Sequence, residues 1–338
     1  MKRYLVPALC SVLFTAGWVA LEANAQNAAA EAHVATARAA AARPGHDFSF
    51  VLDRLCKQID PADTVDPAAR GPLPRRTPPR SDWFREPTKI FDNLYFIGSD
   101  GEPGWVVTTS AGIILIDTTD SYAVAEQVGN GFRKLGLNPA DIKYILVTAA
   151  HTDHYAGAPY LIERYHPRIV MSEADWKVVE TSNLPAEIKP KRDIVATDGM
   201  KITLGDTTIT LHVTPGHTPG TVSMLVPLKD GNQRHLGGLW GGLGFGFDRD
   251  GAKYFPSTRA MLEAYSSSMK RWKDIEEKAG VDVILGNHTN ADKGLEKMAA
   301  LARRQPGQPH PFVSKDAVMR SATVFASCAD AQLAWMSR

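Results

Sequence analysis

The order of strand-like and helix-like segments is the feature that most restricts the fold of this 338-residue chain. Short runs of β-forming residues, broken by Gly, Ser and Asp, begin at Lys89, and helical spacing follows over residues 123–135. A second group of such runs lies at residues 193–242, and a long amphipathic segment follows at residues 257–279. Two successions of strands and then helices predict an α+β domain in which two sheets pack together with helices outside. Periodicity alone supports only mixed α and β content in one domain.

The segment ILVTAAHTDHYAG at residues 145–157 carries the strongest chemical signal. A buried strand is predicted to end near Thr148, and His151, Asp153 and His154 follow before a helix begins. Polar side chains at the carboxyl end of a strand lie at a sheet edge, where active sites collect. Imidazole and carboxylate together suit zinc, iron or manganese. The alternative is a solvated helix start with Asp153 as its N-cap.

Two further histidines occupy comparable positions in the sequence. His217 lies in a turn framed by Pro and Gly between two predicted strands, and His288 directly follows the apolar run VDVILGN. Either one alone is more typical of an ordinary loop histidine. Three strand-end loops that each present a histidine predict one shared site, if the two halves pack as described.

The runs GIILIDT, GHTPGTVS and GNH, with the motif at residues 149–154, resemble the metallo-β-lactamase superfamily, whose first metal motif is HxHxDH. They are more similar to the third metallo-β-lactamase subclass than to the glyoxalase or RNA-processing branches. In that subclass the metals are bound by His and one Asp, with no Cys ligand. The resemblance covers about residues 88–310 and implies an αββα sandwich, with zinc in a groove between two mixed β-sheets.

The resemblance also divides the candidate ligands into two sets. The complete set consists of Asp153, His154 and His288. The other site would use His151 and His217 with a first histidine, at whose position this chain has Ala149. A methyl group offers no lone pair, whereas three protein ligands and one open position are usual for catalytic zinc. We therefore expect one tightly held zinc ion in the complete set and a weak or empty second site at His151 and His217.

A zinc ion in this place predicts hydrolysis as the reaction. Zinc lowers the pKa of bound water toward about 7, so that hydroxide is available at neutral pH to attack a carbonyl. Asp153 is predicted to bind metal and to orient the nucleophile or pass on a proton. His151 and His217 are predicted to donate hydrogen bonds or to carry protons. For these two histidines the alternative is that they are vestigial ligands without a role.

The resemblance implies an exported zinc-dependent hydrolase of a small cyclic amide or ester, with β-lactams as the first candidate substrate. A lactonase or another metallohydrolase of the same fold is the rival within this class. Ala149 favours a different hypothesis, a non-catalytic zinc-binding or ligand-binding protein, and the complete ligand set argues against it. A glyoxalase-like thioesterase would instead act on glutathione thioesters in the cytosol.

The N-terminal segment is typical of a secretory signal. A short positive stretch precedes an apolar run at residues 5–21, and a small-x-small cleavage site follows at residues 23–25. We therefore expect residues 1–25 to be removed and the mature protein to be periplasmic or secreted, without a membrane anchor. Export favours the β-lactam hypothesis, because β-lactams act outside the cytoplasmic membrane.

The remainder of the chain is predicted to divide into an N-terminal extension at residues 26–88 and a main domain at residues 89–338. The extension contains a segment of helical spacing near residues 48–59. A Pro/Arg-rich run at residues 60–88 follows, which is not expected to form regular structure and which we interpret as an extended linker or a surface wrap. Cys56 and Cys328 remain after signal removal. They form either one disulfide or two buried free thiols, and neither has the spacing of a metal site.

Composition and short motifs exclude several other functions. The formal net charge of +1 gives no basic excess for a nucleic-acid partner, so we expect a monomer that acts on a small molecule. The Gly-rich run at residues 235–245 is not GxGxxG in a strand–helix context, which excludes dinucleotide binding. Its glycines predict either close backbone approach near the groove or a hairpin end. Trp105 is either an ordinary core or surface residue or a mobile flap over the groove.

Overall fold

The computed structural model describes residues 27–43, 46–59, 77–245 and 254–336. The predicted signal peptide and most of the Pro/Arg-rich run lie outside these residues, so the structure does not test them. Among the helices that are described, none combines the length and the apolar character that a membrane span requires.

The strands form two sheets. The larger sheet contains, in sequence and in spatial order, β1 (Thr88–Phe91), β2 (Leu94–Gly98), β3 (Pro103–Thr109), β4 (Gly112–Ile116), β5 (Ile142–Leu146), β6 (Arg168–Ser172) and β7 (Ile194–Ala196). The smaller sheet contains β8 (Lys201–Leu204), β9 (Thr207–Val213), β10 (Val222–Asp230), β11 (Gln233–Trp240) and β12 (Val283–Gly286), in the spatial order β12-β11-β10-β9-β8. Both sheets are mixed: β4 to β7 run parallel, as do β11 and β12, and the other neighbours are antiparallel.

The helices connect and cover these strands. They are α1 (residues 27–41), α2 (Ser49–Leu55), α3 (Arg80–Trp83), α4 (Val124–Glu126), α5 (Phe132–Leu135), α6 (Thr152–Tyr155), α7 (Ala158–Tyr165), α8 (Glu173–Thr181), α9 (Thr258–Ala279), α10 (Gly294–Leu301) and α11 (Lys315–Trp335). A π-helical turn, Gln127–Gly131, joins α4 to α5, and short 3₁₀ turns lie at Pro139–Asp141, Ala186–Ile188 and Thr289–Ala291.

Three hydrophobic layers hold these elements together. The middle layer joins the inner faces of the two sheets, and includes Phe96 and Ile114 from one sheet and Leu211 and Met224 from the other. A second layer packs α4 to α8 on the outer face of the larger sheet. A third packs α1, α2, α9 and α11 on the outer face of the smaller sheet. The predicted αββα sandwich is therefore confirmed.

Strand direction brings the chemically important loops to one edge. The parallel strands β4, β5 and β6 all end at the same edge of the larger sheet. In the smaller sheet β9 and β11 are both antiparallel to β10, and β12 is parallel to β11, so these three strands also end together. A hydrogen bond from Val222 N to Thr148 O, 2.7 Å long, joins the two edges. The site lies where these strand ends meet.

The described part of the N-terminal extension packs on the main body. Helices α1 and α2 contribute buried side chains to the core beneath α9 and α11. A disulfide joins Cys56 to Cys328, which decides between the two predicted states of these cysteines. The expectation that residues 60–88 form no regular structure is wrong at residues 80–83, because Arg80–Trp83 form the single turn α3 and Trp83 is buried. The domain boundary at residues 88 and 89 stays a prediction.

The disulfide is expected to contribute strongly to stability. It closes a loop between cysteines 272 positions apart, and a cross-link of this kind restricts the unfolded chain. We expect the double variant Cys56→Ala, Cys328→Ala to lose about 2–4 kcal/mol of unfolding free energy. Urea denaturation of the variant and of the oxidised wild type measures this difference. Equal denaturation midpoints and slopes would show that the covalent link adds nothing to the packing of α2 on α11.

The buried carboxyl of Glu276 makes the free energy of unfolding depend on pH. It lies on the buried face of α9, against Gly238, and burial raises the pKa of its carboxyl to about 8. Between the ordinary value of 4.5 and about 8 the folded state therefore holds a proton that the unfolded state has lost. Unfolding free energy must then fall as pH rises through this window, by at most about 1.4 kcal/mol per pH unit. Thermal unfolding should show Glu276→Gln more stable than wild type at pH 9 and nearly equal to it at pH 4.5. A constant difference between the two proteins across this range would contradict the assignment.

Candidate metal centre

The first predicted ligands lie just beyond the end of β5. The chain leaves the sheet at Leu146, turns at residues 147–151, and enters the short helix α6. Asp153 and His154 lie in that single helical turn and are buried.

Asp153, His154 and His288 lie close enough to share one ion. Each offers one ligand atom, and these atoms all lie within 4.8 Å of one another. His154 Nε2 is 3.6 Å and His288 Nε2 is 3.8 Å from Asp153 Oδ2. The structure thus brings together the three side chains predicted as a complete ligand set, and their role as ligands stays a prediction.

Hydrogen bonds outside this set fix the orientation of His154. Its Nδ1 donates to Asp117 Oδ2 at 2.9 Å, which leaves the lone pair on Nε2. That Nε2 atom is buried and has no hydrogen-bond partner among the described residues. A buried acceptor without a donor is costly, and a metal ion would satisfy it. The donor set and this atom therefore fit a divalent ion such as zinc.

The electrostatic field at His154 favours a positive charge. Burial alone would lower the pKa of the imidazole, but the carboxylates of Asp153 and Asp117 together raise it to about 9. The two carboxylates thus stabilise a cation between them. A proton and a metal ion compete for His154, so metal affinity is expected to weaken as pH falls.

His288 follows the last strand of the smaller sheet, and contacts of the two preceding residues position it. The preceding residue, Asn287, donates from Nδ2 to Gly241 O at 2.7 Å. Trp105 Nε1 donates to Gly286 O at 2.9 Å, and Trp105 is buried in the middle layer. The core interpretation of Trp105 is therefore confirmed, and the flap interpretation is wrong. These contacts fix the end of β12 from which His288 projects.

A buried charged cluster holds the far side of the same loop. Asp292, four residues after His288, accepts hydrogen bonds from Lys297 Nζ and, at 3.4 Å, from His46 Nδ1. All three side chains are buried. His46 belongs to the N-terminal extension, so this extension contributes directly to the support of the loop that bears His288.

His151 and His217 form a second pair beside the first set. Their ring centroids are 4.6 Å apart and the rings are perpendicular. His217 Nδ1 lies 2.6 Å from Gly244 O and must donate to it, so the lone pair is on His217 Nε2. That atom is buried without a hydrogen-bond partner among the described residues. Ala149, fully buried, supplies only a methyl group, so this pair has two imidazole ligands at most.

The Gly-rich run beside this pair permits a close backbone approach. A Cβ atom on Gly242 would lie 2.4 Å from the Cβ of His217, and one on Gly241 would lie 2.2 Å from Val222 O. Any larger residue would displace the loop that carries His217. Of the two interpretations of this run, the structure supports close approach near the groove.

Comparisons with known proteins agree with this geometry. Residues 101–230 match the family model described as the metallo-beta-lactamase superfamily. Among solved structures, the chain is similar to BJP-1, a subclass B3 metallo-beta-lactamase of Bradyrhizobium japonicum. The two are 29% identical with a TM-score of 0.59, and the match covers 72% of this chain and 92% of BJP-1. It is also similar to FEZ-1, a metallo-beta-lactamase from Legionella gormanii, at 26% identity and a TM-score of 0.63, over 72% of this chain and 94% of that one.

In residues 101–230 and in its fold, the chain is similar to the metallo-β-lactamase superfamily. The predicted resemblance to the third subclass is confirmed. A curated relative, a hydroxyacylglutathione hydrolase of Acidiphilium cryptum, is 31% identical over 121 residues. That alignment covers 36% of this chain and 43% of the relative, so the chain matches less than half of the relative's length.

Sequence reasoning missed two residues that organise this candidate metal centre. Asp117 follows β4 and has a positive φ of 58°, and it accepts hydrogen bonds from Thr148 N and Oγ1 as well as from His154. Asp175 lies in the first turn of α8 and accepts from the loops that carry His151 and His217. Each is an acidic residue just after a predicted strand, which was the available signal. Only the parallel strand order shows that both reach the same site.

Proposed function

We propose that this chain is an exported zinc-dependent hydrolase that attacks a small cyclic amide or ester, with β-lactams as its first candidate substrate. The observation that carries the proposal is the convergence of Asp153, His154 and His288 at the shared edge of the two sheets. The likeness to subclass B3 metallo-beta-lactamases supports the β-lactam class. Periplasmic or secreted location and a monomeric state are part of the proposal.

The proposed metal stoichiometry is one zinc ion per chain. Asp153, His154 and His288 would hold it, and zinc would supply activation of water and polarisation of the substrate carbonyl. His151 and His217 bind a second ion weakly, because Ala149 removes the third ligand that a stable site needs.

We assign His217 the role of hydrogen-bond acceptor rather than hydrogen-bond donor. Its Nδ1 proton is committed to Gly244 O, so only the lone pair on Nε2 faces the site. Burial and the neighbouring His151 lower the pKa of His217 well below its ordinary value, which keeps the ring neutral. A neutral imidazole with a lone pair on Nε2 can accept a hydrogen bond from a water molecule in the site and so orient it. We propose that His151, whose ring centroid lies 4.6 Å from that of His217, carries protons in the site.

A thioesterase acting on glutathione conjugates is the second candidate. The similarity to a hydroxyacylglutathione hydrolase favours it. The buried disulfide argues against it, because disulfides persist mainly outside the reducing cytosol. A lactonase remains the rival within the cyclic ester class, and a non-catalytic zinc-binding protein is the rival outside catalysis.

One set of assays separates these candidates. The purified protein without residues 1–25, loaded with one equivalent of zinc, would be tested on nitrocefin, an acyl-homoserine lactone and a glutathione thioester. The β-lactam proposal predicts zinc-dependent hydrolysis of nitrocefin that a chelator abolishes and zinc restores. Turnover of only the lactone or only the thioester would replace it with the corresponding activity. Stoichiometric zinc without any turnover would identify a binding protein.

The proposed location is tested by fractionation. Expressed in a Gram-negative host, the full chain is expected in the periplasmic fraction as a shorter protein, with its N-terminus at Gln26. A cytosolic protein of full length would contradict export and would favour the thioesterase.

A further inference from the structure

Asp175 links the two loops that carry His151 and His217. Its side chain is 1% exposed, and its Oδ2 accepts from Ala150 N at 2.9 Å and from Thr218 Oγ1 at 2.8 Å. Ala150 directly precedes His151, and Thr218 directly follows His217. One carboxylate oxygen therefore holds the backbone beside one histidine and the side chain beside the other.

The second oxygen of Asp175 strengthens the same link. Oδ1 accepts from Gly220 N at 2.8 Å, which fixes the end of the loop that bears His217. A Cβ atom on Gly220 would lie 1.9 Å from Ser172 Oγ and 2.8 Å from Asp175 Oδ1, so only glycine permits this approach. Ala150 N, Thr218 Oγ1 and Gly220 N all donate to the side chain of Asp175. An ionised carboxylate, which only accepts hydrogen bonds, suits three such donors.

We propose that Asp175 is a positioning residue that sets the separation and orientation of His151 and His217. Because Ala149 leaves this pair without a third ligand, a bound ion cannot be the main constraint on its geometry. The protein must supply that constraint, and the carboxylate of Asp175 contacts both loops. The catalytic consequence rests on the proposed function, whereas the geometric consequence does not.

The energetics of Asp175 support a role beyond ordinary helix capping. Burial raises the pKa of its carboxyl to about 7, against the hydrogen bonds from Thr218, Gly220 and Ala150 that lower it. A buried acidic group is unfavourable unless its partners compensate for lost hydration. All three compensating donors come from the two histidine loops, so the carboxylate is stabilised only when those loops are in place.

The test measures the imidazole of His217 directly. In protein labelled with ¹⁵N-histidine, the Nδ1 proton donated to Gly244 O should give a slowly exchanging signal. We expect Asp175→Asn to shift or abolish this signal, because an amide NH₂ group would oppose one of the three donors. The zinc bound at Asp153, His154 and His288 should stay at one ion per chain. If hydrolysis is established, kcat should fall by about 10- to 100-fold with little change in KM.

Two further variants keep the result interpretable. Ser172→Ala removes the N-cap of α8 without removing a bond to either loop, and should leave the His217 signal unchanged. If Asp175→Asn does not fold, Thr218→Val removes one of the three bonds and Thr218→Ser restores it. A His217 signal that is the same in wild type, Asp175→Asn and Thr218→Val would overturn the proposal. A shifted signal without any change in kcat would keep the positioning role and contradict the catalytic role of His217.

Discussion

Replacing Ala149 by His is expected to raise the zinc content from one ion per chain to two. His151 and His217 already lie with ring centroids 4.6 Å apart, and a third imidazole at position 149 would complete a tris-histidine set. The larger side chain must fit where Ala149 is fully buried, at a cost of about 1–3 kcal/mol, which the bound metal should offset. Metal analysis after dialysis, with calorimetric titration of zinc into the metal-free protein, measures both sites.

Ala150→His is the matched control for this experiment. It places the same side chain one position later, in the same loop, and it should leave the zinc content at one. Equal zinc content in wild type and Ala149→His would show that position 149 does not face the His151 and His217 pair. In that case the alignment of this chain with the HxHxDH motif is wrong at its first residue.

Asp153→Asn is expected to abolish both stable zinc binding and hydrolysis. The carboxylate is the only anionic member of the ligand set, and its removal leaves two imidazoles. Zinc affinity should fall by more than about 100-fold, since even residues that only support ligands cost 10- to 100-fold. Hydrolysis should fall by about 10³-fold, because the activation of water is lost with the metal.

Asp198→Asn controls for the general effect of removing one carboxylate from the protein. Asp198 is partly exposed and forms an ion pair with Arg271, outside the candidate metal centre. It should retain full zinc content and full activity. An Asp153→Asn protein that binds zinc as tightly as wild type would remove Asp153 from the ligand set and leave the site without its carboxylate.

Much of the fold follows from local patterns in the sequence. Strands and helices alternate in two similar groups, and short apolar runs such as residues 145–147 are buried. These patterns predicted the layers of the sandwich. They could not predict α3 in the Pro/Arg-rich run, because one helical turn with a Pro at its N-cap depends on burial of Trp83.

The sequence indicated the candidate ligands of the site but not the groups that orient them. His151, Asp153, His154, His217 and His288 were recognisable because each follows a strand. The groups that orient them were not, because a hydrogen bond such as Ala150 N to Asp175 Oδ2 joins residues that are distant in sequence. The tautomer of His217 is a further example, since the acceptor Gly244 O lies 27 residues away. Spacing predicted the ligands, and only topology could identify their supports.

The covalent bond between the extension and α11 also constrains the order of biosynthesis. Cys56 is made 272 residues before its partner, so the native disulfide cannot form until most of the chain has been translated. During that time the only other thiol on the nascent chain is Cys10, in the predicted signal peptide. Removal of that peptide would eliminate the one competing intramolecular disulfide before the last helix emerges.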